Sequence, residues 1–140
     1  MSAFILDTSV SMAWCFEDET NPYSESLLAR LEADQEALVP SLWPLEVANA
    51  LVVAKQRGRV TETQIIGFLE DLGEFAIRVD TQGIDRALTE VRFLAEQYQL
   101  TSYDAAYLEL AMRTGVPLAT LDEQLRQAAL AAGVSVVQQR

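Results

Sequence analysis

Short apolar runs alternate along the chain with longer stretches of helical periodicity, and the alternation predicts the fold class. Ala3 to Leu6 reads as a first strand ending at Asp7, and Asp7 or Ser9 is placed to cap a helix running through Cys15. Phe16 to Asn21 is polar and acidic, and Pro22 marks the first position of a helix reaching about Asp34, with Asn21 as its cap. Ala37 to Val39 is a brief strand. Ser41 to Arg57 is helical with Gly58 as its stop, and Thr61 with Gln64 has capping-box spacing at the start of a helix that ends near Glu74. Ile77 to Val79 reads as a strand, Ile84 to Tyr98 as an amphipathic helix, and Ser102 to Thr114 as another, stopped by Gly115 and Pro117. Pro117 to Leu121 is then a strand, Asp122 starts a helix that Gly133 ends, and Val134 to Val137 is a final strand. Strands alternating with helices predict an α/β domain whose mostly parallel central sheet is covered by helices on both faces. No linker, repeat or low-complexity segment interrupts the pattern, so one domain is expected over residues 1–140.

Composition narrows the chemistry. With 140 residues, half of them hydrophobic, the chain is long enough to bury a real core. No apolar run approaches the ~18 residues of a membrane span, and Met1 to Leu6 lacks the basic start and long apolar stretch of a secretory signal, so a cytoplasmic protein without a membrane segment is expected. Cys15 is the only cysteine, which removes an internal disulfide and any Cys-based zinc site within one chain. There is no histidine and a single lysine, Lys55. Ser-His-Asp triads, Cys-His pairs, a histidine general base and His-ligated zinc are therefore excluded. Carboxylate chemistry remains, and clustered Asp and Glu are hard oxygen ligands suited to Mg²⁺ or Mn²⁺.

Charge argues against loose nucleic-acid binding, because 10 basic residues against 21 acidic give a net of −11. The one basic cluster, Lys55, Arg57 and Arg59, reads either as an RNA contact or as a solvated helix end that complements the helix dipole. Among the acids, Asp7 and Asp122 each follow a predicted strand, where open α/β sheets bind their ligands. Either could equally be a helix N-cap. Glu46 lies early in the Ser41 helix with Asn49 at i+3 on the same side, so the amide is placed to steady the carboxylate. A favourable charge near a helix N-terminus explains Glu46 as well. Asp104 occupies the first turn of the Ser102 helix, where Thr101 or Ser102 already offers a cap, so capping explains it less well. Trp14, Phe16 and Trp43 read as core positions or as the lining of a groove for a partner.

At this point the residues carry a resemblance. Phe4-Ile5-Leu6-Asp7-Thr8-Ser9-Val10, Pro44-Leu45-Glu46-Val47-Ala48-Asn49, Leu100-Thr101-Ser102-Tyr103-Asp104-Ala105-Ala106-Tyr107 and Pro117-Leu118-Ala119-Thr120-Leu121-Asp122 resemble the four acidic motifs of PIN-domain nucleases, in the family's order and across nearly the whole chain. The short length and the Leu-Thr-Ser-Tyr-Asp-Ala-Ala-Tyr form are most similar to VapC-like toxins. The resemblance implies a PIN fold with an acidic pocket of Asp7, Glu46, Asp104 and Asp122 that binds Mg²⁺ or Mn²⁺, supported by Ser9, Asn49 and Thr120. It also implies endoribonuclease activity on RNA, a homodimer, and a cognate VapB-like antitoxin whose tail covers the groove. One departure is visible: Glu123 and Gln124 follow Asp122 where related toxins often carry basic residues. Three other readings remain open at this stage: a housekeeping RNA-processing PIN nuclease, a non-catalytic PIN-like binding module, and a receiver-like domain. The last needs a lysine at a strand end, whereas Lys55 falls in a helix.

Overall fold

The computed structural model describes residues 2–138. Four strands, β1 (Ala3–Leu6), β2 (Glu36–Val39), β3 (Ala76–Val79) and β4 (Leu118–Ala119), form one parallel sheet in the order β3-β2-β1-β4. Phe4, Ile5 and Leu6 are all fully buried, and so are Leu118 and Ala119. Successive strand side chains point to opposite faces, so burial of every one means that both faces of the central strands are covered. The helices supply that cover: α1 (Thr8–Cys15), α2 (Pro22–Glu32), α3 (Trp43–Gln56), α4 (Glu62–Gly73), α5 (Arg92–Tyr98), α6 (Ser102–Thr114) and α7 (Glu123–Ala131). The edge strand β3 is mostly exposed, and Arg78 on it pairs with Glu36 of β2, a charge that discourages edge-to-edge association.

Local signals set most element ends. Asn21 accepts from the Ser24 N–H ahead of Pro22, and Thr61 with Gln64 forms a complete capping box at α4. Gly115 closes α6 with φ +70, a left-handed conformation that a side chain would strain. Phe16 and Trp43 lie in the core cluster, the Trp43 indole donating to Ser11, while half-buried Trp14 donates to the Ser24 carbonyl. Three expectations are corrected. The strand over Pro117 to Leu121 is only two residues long, because Thr120 turns away to bond side chains at the sheet edge. The final strand over Val134 to Val137 is a single parallel bridge, Leu118 to Val136, since a two-residue β4 offers no longer ladder. The helix over Ile84 to Tyr98 begins earlier and changes winding, from a 3₁₀ turn (Gly83–Arg86) through a π turn (Ala87–Val91) into α5. Asp80 pins the tight turn by accepting from the Gly83 N–H at 2.8 Å, and the wide turn that follows offsets its over-winding so that Val91 and Leu94 both reach the core.

The same turn is anchored by a buried charge network. Arg113 on α6 bonds Asp80 at 2.7 Å and Glu109 at 2.8 Å, and Arg86 approaches Glu109 at 3.9 Å. Burial pushes the Asp80 carboxyl up, but hydrogen bonds from Arg113 and the Gly83 N–H outweigh it and hold the group below the usual carboxylate range. Stability from Asp80 is therefore present above its unfolded pKa and lost as pH falls through the lower folded value. Arg113→Met, which leaves Asp80 without a cation and Glu109 with only the distant Arg86, is expected to destabilise the fold at pH 7 by about 3 kcal/mol. Urea denaturation reads this directly, with the gap from wild type narrowing in acid, and a gap below about 0.5 kcal/mol at pH 7 would show the network to be idle.

Candidate active site

The sheet order creates one switch point. The chain runs outward from β1 to β2 to β3, then returns to place β4 on the other side of β1, so the strand order reverses beside the carboxyl ends of β1 and β4, where open α/β sheets form their ligand crevice. Asp7 immediately follows β1 and Asp122 lies just beyond β4, with the Asp7 N–H bonded to the Ala119 carbonyl at 3.1 Å. Asp7 stands at the N-cap of α1, yet its side chain makes no capping bond. Its Oδ2 instead accepts from Ser9 Oγ at 2.6 Å and Thr120 Oγ1 at 2.7 Å. Thr120 Oγ1 in turn accepts from the Asp122 N–H, and Ser9 Oγ from the Leu121 N–H. Two hydroxyls thus tie the loop after β1 to the loop after β4. Asp122 does serve as a cap, its Oδ1 accepting from the Leu125 N–H at the start of α7.

Glu46 enters from the first turn of α3. Its Oε1 accepts from Thr8 Oγ1 at 3.0 Å and from the Tyr107 hydroxyl at 2.6 Å, and these two hydroxyls lie 2.8 Å apart. Asn49, expected to steady this carboxylate, is exposed and makes no side-chain hydrogen bond among the described residues. Thr8 and Tyr107 occupy that supporting place. The sequence held one clue to Tyr107, since it stands at i+3 from Asp104, and a tyrosine that deep in the core needs a partner for its hydroxyl. Nothing in the pattern marked Thr8. Asp104 opens α6, whose cap is the Thr101 hydroxyl, so the Asp104 carboxylate is spared from capping and takes no hydrogen bond among the described residues.

Electrostatics shows that the four acids share one neighbourhood. Burial lifts the Asp104 carboxyl to about 6, and the charges of Asp122, Asp7 and Glu46 add to the rise. Burial also raises Asp7 and Glu46, against the lowering effect of their hydroxyl donors. The Tyr107 hydroxyl is pushed up by burial and by Asp7, which keeps it protonated as a donor. Among the described residues no cation forms an ion pair with these acids. Lys55 faces Glu62, Arg59 faces Asp18 and Glu19 while stacking on Phe16, and Arg78, Arg86, Arg92, Arg113 and Arg126 all meet acids elsewhere. Of the expected basic cluster only Arg57 lacks an acidic partner among the described residues.

An all-oxygen donor set with several carboxylates pushed toward protonation suits a hard divalent cation. Among the described residues no three Cys, Asp or Glu side chains stand close enough together to hold a metal ion.

Comparison with known proteins completes the picture. Residues 4–130 match the model of the PIN domain. This chain belongs to the PIN-domain family. It is 32% identical to Ribonuclease VapC3 of Pyrobaculum aerophilum over 123 residues, which cover 88% of this chain and 92% of that protein. The crystal structure of PAE2754 from Pyrobaculum aerophilum shares the fold, with a TM-score of 0.66 at 22% identity over 91% of this chain and 84% of that one.

The raised carboxyl predicts a pH response in the metal-free protein. Asp104 binds its proton more tightly in the folded state, so its ionisation costs stability as pH rises from about 4 through about 6. In EDTA, Asp104→Asn is expected to melt above wild type at pH 7, with the difference shrinking at pH 5. Melting curves at the two pH values test this, and a difference independent of pH would remove Asp104 from the charged cluster.

Proposed function

We propose that this chain is an Mg²⁺- or Mn²⁺-dependent endoribonuclease that hydrolyses RNA phosphodiester bonds as the toxin of a toxin–antitoxin pair. The observation that carries the reading is the convergence of Asp7, Glu46, Asp104 and Asp122 on the carboxyl edge of the sheet, where each raises or feels the charge of another. The PIN-domain match and the likeness to a protein named as a VapC ribonuclease support it.

In this reading Asp7, Glu46, Asp104 and Asp122 hold the ion, which when bound polarises a phosphate oxygen and acidifies a water. Ser9 and Thr120 fix Oδ2 of Asp7, and Thr8 and Tyr107 fix Oε1 of Glu46, so two ligands are aimed before any substrate arrives. The Asp104 carboxylate has no hydrogen-bond partner among the described residues and would complete the set. Phosphate charge would then be answered by the ion rather than by lysine or arginine, which suits a surface most of whose described cations already face acids. That arrangement favours a narrow choice of RNA over tight nonspecific binding.

Partners are supported by exposed apolar side chains: Leu45 and Val52 on α3, Ile66 and Leu69 on α4, Ile84, Leu88 and Phe93 in the Gly83–Tyr98 segment, and Met112 on α6. Exposed apolar side chains in such numbers suit protein contacts, here a second copy of the chain and a VapB-like antitoxin. Among the described residues no helix is long and apolar enough to cross a membrane.

Cleavage of total RNA is expected to require Mg²⁺ or Mn²⁺, to stop with EDTA, and to stay off when Zn²⁺ replaces them. Asp7→Asn is expected to abolish cleavage while melting in EDTA no lower than wild type, because it removes charge from the cluster. Mapped RNA ends after induced expression of wild type and Asp7→Asn provide the readout. Unimpaired cleavage by metal-free protein, or by Asp7→Asn, overturns the assignment.

A further inference from the structure

Three hydroxyl and carboxylate atoms form a closed triangle beneath the acids: Thr8 Oγ1, Tyr107 Oη and Glu46 Oε1, separated by 2.6, 2.8 and 3.0 Å. Two hydroxyl protons serve these three contacts, so the carboxylate oxygen is the acceptor on which both converge. The three residues come from three acid-bearing segments. Thr8 is the neighbour of Asp7, Tyr107 lies one helical turn from Asp104, and Glu46 is itself one of the acids. The triangle therefore sets the relative position of α1, α3 and α6 at the edge where the acids meet. Tyr107 is fully buried, and packing alone would be met by phenylalanine. Its hydroxyl occupies Oε1 and leaves Oε2 as the one oxygen of Glu46 without a protein donor among the described residues.

We propose that Tyr107, with Thr8, is a positioning residue for the divalent ion: the pair clamps one oxygen of Glu46 so that the other is presented to the metal in a fixed direction. The inference rests on the metal-dependent reading above and adds residues to it that neither carry charge nor contact the ion.

Mn²⁺ binding tests it without recourse to cleavage, by the electron paramagnetic resonance signal of free Mn²⁺ and by the rise in melting temperature that Mn²⁺ produces. Tyr107→Phe keeps the ring and removes the hydroxyl, and is expected to raise the Mn²⁺ Kd roughly 10- to 100-fold and to lose most of the Mn²⁺-induced melting shift. Thr8→Val is expected to behave likewise, whereas Thr8→Ser keeps the hydroxyl and the wild-type Kd. A merely structural tyrosine would lower the melting temperature equally with and without Mn²⁺ and leave Kd unchanged. A wild-type Kd in Tyr107→Phe overturns the inference while leaving the metal reading intact. If Tyr107→Phe does not fold, a wild-type Kd in Thr8→Val overturns it in the same way. A wild-type protein that fails to bind Mn²⁺ overturns both together.

Discussion

The mutual repulsion of four carboxylates at one sheet edge is the constraint around which this structure is arranged. Two like charges ~4 Å apart repel by roughly 4 kcal/mol at an effective dielectric near 20, a ceiling that water and protonation reduce. The rise of Asp104 to about 6 comes first from burial, with the repulsion of Asp122, Asp7 and Glu46 adding to it. A fold relieves such stress by keeping the acids apart, by protonating them, or by admitting a cation. This one gives Asp7 and Glu46 two hydroxyl donors each and leaves Asp104 with none. The site is thus part rigid and part unfinished, which suits a cation that enters after folding.

The scaffold makes the crowding possible. A parallel sheet buried on both faces has its free backbone ends at its edges, and the reversal of strand order beside β1 opens a crevice there. Short β4 matters to this geometry, because Thr120 leaves the ladder at once and spans the crevice to Asp7. The far side of α6 is held by Arg113, Asp80 and Glu109, so the helix that carries Asp104 and Tyr107 is fixed at both ends by polar contacts of different kinds. Stability and site geometry are linked through that one helix.

Excess negative charge has a second consequence. Most of the described cations of this surface pair with neighbouring acids, so little field remains to draw RNA in from a distance. Under the proposed function, selection would rest on close fit at the edge and on surfaces contributed by partners. The apolar side chains left open on α3, α4 and the Gly83 to Tyr98 helical segment offer such surfaces.

Much of this was determined by sequence alone. The alternation of apolar runs and helical periods gave the α/β class, and Asn21-Pro22, Thr61 with Gln64, and Gly115 set ends that rest on local hydrogen bonds and backbone freedom. Asp7, Glu46, Asp104 and Asp122 stood out as candidates at predicted strand ends or in the first turns of helices, and the resemblance to four PIN motifs grouped them. Tertiary structure decided the rest. Whether Asp7 caps a helix or bonds Ser9 and Thr120 depends on β4 lying beside β1, a contact over more than a hundred residues. Asn49 shared a helix face with Glu46 in the sequence, yet the partners that reached the carboxylate came from α1 and α6, because a hydrogen bond is satisfied by whichever donor packing brings within 3 Å. Local pattern fixes which residues begin and end an element, whereas long-range packing alone determines which side chains meet.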